Sequence, residues 1–294
     1  MRKIISEINK GRILVSDGAW GTFLQQKGLK PGECPEAWNV DRPADVLDIA
    51  QSYIDAGADM VESNSFGGSR FKLEKYGFGD KVYEFNKAAA EISRKAAGPD
   101  RFVLGSIGPT GKLLLMDEVT EEELYEAFKE QSMALEAGGV NAIMIETMTD
   151  LDEARIAVKA AKENTSCEVF ATMTFEKIIG GGYRTMMGIS PSEMAETLVE
   201  AGADLIGTNC GNGIEDMIGM VKEIRTVNQT IPVLVHANAG MPKYLDGVTT
   251  FPESPEDMAS RVKDIIEAGA NIVGGCCGTT PAHISRVREI VRSL

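Results

Sequence analysis

The chain is short of positive charge. Its 294 residues hold 30 lysines and arginines against 44 aspartates and glutamates, a formal net charge of −14. That excludes nucleic acid or an anionic membrane as the main partner. A small molecule, or a protein with a basic patch, fits instead. No run of about 18 apolar residues occurs, so the sequence offers no membrane span. The opening MRKIISEINKGR has no apolar stretch long enough for a secretory leader. The expectation is a cytoplasmic protein. None of the five cysteines forms a Cys-x-x-Cys pair. A disulfide framework is not expected in that compartment, which leaves metal binding, catalysis or burial. No Pro/Ser-rich linker, low-complexity segment or glycine-rich dinucleotide loop appears. One domain over residues 1–294 is the economical reading.

A repeat is present. IDAGADMVESNSF (54–66), LEAGGVNAIMIETM (135–148), VEAGADLIGTNC (199–210) and IEAGANIVGGCC (266–277) resemble one another. Each reads as a last helical turn, a glycine stop and an apolar run. Glycine past a helix accepts the left-handed backbone that closes it. Near-continuous apolar runs suit parallel strands covered by helices. ILVSDGAW (13–20), FVLGSIG (102–108), EVFATMTF (168–175) and IPVLVHANAG (231–240) supply four more strands. Helix starts are marked by Thr120 with Glu123, Ser190-Pro191 with Glu193, Ser254-Pro255 with Asp257, and Thr280-Pro281. Strands alternating with helices at near-regular spacing predict an α/β fold, a (β/α)8 TIM barrel.

Chemistry in such barrels sits at the C-terminal strand ends. Read in order, those ends carry Asp17-Gly18, Glu62-Ser63-Asn64, Gly108, Glu146-Thr147, Thr174, Asn209-Cys210, His236 with Asn238, and Cys276-Cys277. Cys210, Cys276 and Cys277 therefore converge on one rim, while Cys34 and Cys167 do not. A lone cysteine there is most often a small buried hydrophobe. An adjacent pair changes the odds. Neighbours on a strand point to opposite faces, and a vicinal disulfide brings the Cα atoms too close. Both thiols face one ion only if the strand has ended, and Gly274, Gly275 and Gly278 permit the turn. Three thiolates with no clear fourth partner look like a catalytic zinc site with an open position. Glu146 closes the apolar run IMIE, where a carboxylate must be paired or solvated. A cationic substrate group would satisfy it. His236 stays open among ligand, base and rim residue. With His283 in the first turn of the last helix, both histidines are left outside the metal's ligand set. Gly180-Gly181-Gly182 and Gly240-Met241-Pro242 lack a following Gly-Lys-Ser/Thr and read as loops over the site.

DGAWGT, ESNSFGGS, GTNCG and above all GGCCGTTPAHI resemble the homocysteine S-methyltransferase family, across nearly the whole chain. VHANAGMP and DGVTTFPESPEDMA are most similar to the homocysteine-binding module of cobalamin-dependent methionine synthase. The resemblance implies that Cys210, Cys276 and Cys277 bind Zn2+, which activates the thiol of homocysteine in place of a catalytic side chain. It implies that Asp17 and Glu146 lie near the substrate's amino group, that the backbone from Gly18 to Thr22 holds its amino acid end, and that Asn64 and Asn238 belong to the same site. The expectation is that no folate, cobalamin or activation module follows Leu294. The leading expectation is thus a free-standing enzyme that makes methionine with a methyl group from a separate methylcorrinoid protein. The alternative is a donor such as S-methylmethionine or another sulfonium or onium compound. A third reading is a thiol- and zinc-binding module without turnover.

Overall fold

A computed structural model describes residues 3–245 and 248–294. Asp246 and Gly247, which open the DGVTTF motif, lie outside the described residues. Eight strands form one sheet: β1 (Leu14–Val15), β2 (Met60–Glu62), β3 (Phe102–Ile107), β4 (Ala142–Met148), β5 (Glu168–Met173), β6 (Leu205–Gly213), β7 (Val233–Asn238) and β8 (Ile272–Gly275). Neighbours pair in parallel from β2 through to β8 and on to β1. The remaining seam, between β1 and β2, is bridged by hydrogen bonds: Asp59 N donates to Val15 O at 2.7 Å, and Glu62 N to Asp17 Oδ2 at 2.8 Å. The expected (β/α)8 barrel is what the chain forms.

Alternation along each strand sorts the core into two layers. Leu14, Met60, Leu104, Met144, Phe170, Leu205, Leu234 and Ile272 fill the barrel interior, and Ile4 and Ile8 of the N-terminal helix plug its lower end. Their neighbours, such as Val15, Val61, Val103, Ile143, Val169, Ile206, Val235 and Val273, pack outward under the helices. This is why the strands read as unbroken apolar runs.

The sequence repeat has a structural cause. Gly57, Gly139, Gly202 and Gly269 all adopt positive φ, between 92° and 116°. Two residues on, an Asp or Asn accepts an N–H of the adjoining strand: Asp59 from Val15, Asn141 from Val103, Asp204 from Val169 and Asn271 from Val233, at 2.8–3.0 Å. A basic side chain covers each one: Arg288, Arg94, Lys162 and Arg225 respectively. The device ties four strand pairs at the lower end of the barrel.

The predicted helix starts are present. Thr120–Glu123, Ser190–Glu193 and Ser254–Asp257 form reciprocal capping boxes. His283 serves the last helix in the same way, its Nδ1 accepting from Thr280 N at 3.1 Å. The triple glycine turns a short hairpin, Glu176–Lys177 against Tyr183–Arg184. Gly240-Met241-Pro242 leads into a second, Lys243–Leu245 against Val248–Thr250. No helix among the described residues is long and apolar enough to cross a membrane.

Candidate metal centre and substrate cavity

At the C-terminal end of the strands lies a cavity of about 280 Å³, walled by Gly18, Trp20, Thr22, Leu24, Asn64, Phe66 and the ends of β2, β4, β6 and β8. Cys210, Cys276 and Cys277 line it together. Their sulfurs all lie within 4.8 Å of one another, the only such metal-competent group among the described residues. Cys210 Sγ and Cys277 Sγ are 3.9 Å apart. Two sulfurs bound at ~2.3 Å to one tetrahedral ion lie ~3.8 Å apart. The spacing therefore fits a shared ion and is too long for a disulfide.

β8 ends at Gly275, so both following thiols escape strand alternation. The turn beyond it is pinned on every side. Cys276 N donates to Ala237 O at 2.7 Å, Ala239 N donates to Cys277 O at 3.0 Å, and Thr279 Oγ1 donates to Cys276 O at 2.7 Å. Of the three glycines, only Gly278 needs the left-handed region, at φ +80°. Gly274 and Gly275 have a different reason. A Cβ on Gly274 would sit 2.7 Å from Ser16 Cβ, and one on Gly275 would sit 2.2 Å from Thr279 Oγ1. Close approach of β1 and of the turn itself excludes side chains there.

β6 runs on to Gly213, past the expected end at Cys210, but its register breaks between Asn209 and Gly213. Cys210 stands in that irregularity at φ +60°. Thr147, beside Glu146 in a matching irregularity of β4, also has φ +60°. Strained backbone at both places aims side chains at the cavity. Asn209 holds the two strand ends together. Its Oδ1 accepts from Thr147 N and Thr172 Oγ1, and its Nδ2 donates to Thr147 Oγ1 and Glu146 Oε2.

Hydrogen bonds from Cys276 and Cys277, with help from Gly211 N–H and the Asn238 side chain, pull the Cys210 thiol down to about 3. Sharing with that thiolate pushes Cys277 up to about 12 and Cys276 well above its usual range. A second cluster of titratable groups lies at the same end of the barrel. Burial raises Glu62 and Glu146 well above the carboxylate range, and each is raised further by a neighbouring acid, Asp17 and Glu62 respectively. Burial also raises Asp17, opposed by His236, and lowers His236.

The family model described as homocysteine S-methyltransferase matches residues 14–291. The chain belongs to the homocysteine S-methyltransferase family. It is 35% identical to a methionine synthase of Mycobacterium tuberculosis and 34% to one of Mycobacterium leprae, over 96% and 95% of its own length. It spans only about a quarter of those proteins, 25% and 24%. Among solved structures it is similar to the metallated form of the homocysteine methyltransferase MmuM from Escherichia coli. The TM-score is 0.79 at 20% identity, covering 97% of this chain and 98% of that one.

Within this homocysteine S-methyltransferase fold the residues picked out from the sequence fall in different places. Gly18, Thr22, Asn64 and Glu146 line the cavity with the three cysteines. Asp17 stands behind the wall, its oxygens taken by Trp20 Nε1, Glu62 N and Ser16 Oγ. Asn64 Nδ2 is committed to Pro35 O and Asn39 Oδ1. Asn238 is buried beside Cys210 with an unpartnered Oδ1. Glu62 and His236, which the sequence placed at strand ends without a settled role, also line the cavity. The signal existed: Glu62 ends the apolar run MVE as Glu146 ends IMIE, and His236 interrupts VLVHAN.

Proposed function

We propose that the chain is a zinc-dependent homocysteine S-methyltransferase, forming methionine with a methyl group carried by a separate methylcorrinoid protein. The observation that carries the reading is the thiol trio, which lines the cavity with three sulfur donors at the spacing of a tetrahedral site. Cys210, Cys276 and Cys277 would hold the ion, leaving its fourth corner toward the cavity. Zinc there would keep a substrate thiol deprotonated, and so nucleophilic, at neutral pH. Glu36, Glu62 and Glu146 line the space, and no lysine or arginine does. The cavity therefore suits a ligand with an ammonium group, and Gly18 to Thr22 bound its amino acid end. Trp20, Leu24 and Phe66 keep water from the sulfur. We take residues 1–294 as one homocysteine-binding domain, and five free thiols suit the reducing cytoplasm.

The donor reading draws on the rim. Leu115, Met116, Ile179, Met186, Met241 and Tyr244 are each more than half exposed, on the loops after β3, β5 and β7. Exposed apolar groups on the loops at the cavity's end of the barrel favour a large docking donor over a small soluble one. The alternative is a sulfonium donor such as S-methylmethionine. A donor screen with zinc-loaded protein and homocysteine separates the readings. Methionine from a methylcobalamin-loaded corrinoid protein is expected. Turnover with S-methylmethionine alone would replace the donor assignment. Binding of homocysteine without transfer from any donor would leave a non-catalytic thiol- and zinc-binding module.

A further inference from the structure

Of the two histidines in the chain, only His236 lines the cavity. His283 stands in the first turn of the last helix, Pro281–Ser293, and is buried. Both of its ring nitrogens are used. Nδ1 accepts from Thr280 N at 3.1 Å, and Nε2 lies 3.1 Å from Glu253 O. A backbone N–H can only donate and a carbonyl oxygen can only accept. The ring therefore carries its hydrogen on Nε2 and donates it to Glu253. The first contact caps the helix. The second reaches 30 residues back along the chain and has no part in the cap.

Glu253 belongs to a strap, residues 251–254, that lies against the turn bearing Cys276 and Cys277. A Cβ on Gly278 would sit 2.2 Å from Phe251 Cγ, so the Phe251 ring rests directly on the residue after the thiol pair. Glu253 N donates to Ala239 O at 3.0 Å, and Ala239 N donates to Cys277 O at 3.0 Å. These contacts close a circuit. It runs from Cys277 to Ala239, to Glu253, to His283, to Thr280, and back through Thr279 and Gly278. The imidazole is the only side chain in it, and it makes two of the four hydrogen bonds.

We propose that His283 is a positioning residue for Cys276 and Cys277: it latches the 251–254 strap onto their turn, so that both thiols stay directed at one ion. This rests on the three thiols being the metal's ligands. Adjacent thiols share an ion only while the backbone beyond Gly275 keeps its turn. Gly278 has no side chain with which to hold that turn, so contacts from outside must do so. Groups that orient metal ligands from behind are worth roughly 10- to 100-fold in metal affinity. His283 acts through Glu253 and Ala239, which places its effect at the lower end.

His283→Gln and His283→Glu separate the two contacts. Glutamine and glutamate both suit this position of a capping box, so each keeps the bond from Thr280 N. Glutamine also has an N–H for Glu253 O, and an ionised glutamate has none. Zinc dissociation constants are read by chelator competition on the full chain, with Co2+ as a spectroscopic probe of the same site. His283→Gln is expected to match wild type within about threefold, and His283→Glu to bind zinc about 10-fold more weakly. The Co2+ form of His283→Glu should also lose thiolate-to-metal charge-transfer intensity. An added negative charge favours a cation, so charge does not account for a loss. Phe251→Ala leaves the cap and His283 in place and removes the strap's seat on Gly278. It should weaken zinc in the same direction, and it stands in if the glutamate form does not fold. An unchanged zinc constant and Co2+ spectrum in His283→Glu, or in Phe251→Ala in its stead, would overturn the proposal. So would equal losses in the glutamine and glutamate forms, since packing of the ring and not its bond to Glu253 would then be the cause. A wild-type chain that takes up no stoichiometric zinc would overturn the zinc reading, and this inference with it.

Discussion

The lower and upper ends of the barrel follow opposite plans. Below, one device recurs at Asp59, Asn141, Asp204 and Asn271: left-handed glycine, polar clasp on the next strand, basic cover. Each clasp carries both a backbone donor and a basic partner. Above, nothing recurs. Cys210 and Thr147 hold strained backbone, β4 and β6 lose register, and Glu62 Oε1, His236 Nε2 and Asn238 Oδ1 lack partners. The contrast separates stability from chemistry within one sheet. Satisfied, repeated groups hold strands in register. Strained and unsatisfied groups collect round the cavity, where a ligand can make use of them.

That contrast can be broken by substitution. The largest effect is expected at the top. Cys276→Ala should abolish stoichiometric zinc binding and methyl transfer together, read by elemental analysis and a methionine assay, with the fold retained. Full zinc in that variant would remove Cys276 from the ligand set. Next, Asp59→Ala at the bottom should cost roughly 3 kcal/mol, because it strands Arg288 and the Val15 N–H. Urea unfolding measures the loss. Zinc content should be unchanged, and a coupled loss of zinc would show that the two ends are not independent. Asn209→Ala should fall between the two plans. It removes the clasp on Thr147, Thr172 and Glu146, costing roughly 2 kcal/mol and weakening homocysteine binding as well.

A pH series sharpens the comparison further. Burial first, and then Asp17, hold the Glu62 carboxyl well above its usual range. The folded metal-free chain thus keeps a proton that the unfolded chain gives up. This contribution to stability is complete below the unfolded value and declines as pH rises toward the folded one, by up to about 1.4 kcal/mol per unit. Urea unfolding of metal-free protein from about pH 5 to 7 should show a shallower decline in Glu62→Gln than in wild type. An unchanged slope would mean that Glu62 does not titrate differently on folding. The smallest effect is at a helix cap remote from both ends' chemistry. Ser190→Ala should cost about 1 kcal/mol and leave zinc and ligand binding intact.

Much of this was legible in the chain. The four AGA-type segments announced four strands, and the Ser/Thr-x-x-Glu/Asp signatures announced helix starts, because both depend on local backbone preference. The rim cysteines were legible because their strand positions could be counted. Other features were not. The Asp and Asn after each repeat glycine act on a strand from another segment, so their role needs the sheet order. Asp17 reads as a cavity acid, yet Trp20 and the Glu62 backbone take up its oxygens. Glu62 and His236 are distant in sequence and become neighbours only when β2 and β7 face each other across the barrel.

The sequence alone determined the alternation of strands and helices, the caps that bound the helices, and the positions of three thiols at strand ends. These follow from periodicity and residue type within a few neighbours. Tertiary structure decided which polar groups remain unsatisfied. It set the 3.9 Å approach of Cys210 to Cys277 across 67 residues of chain, and it left Glu62 rather than Asp17 with a free oxygen. Hydrogen-bond accounting depends on every group within reach, and closure of the barrel alone brings those groups together.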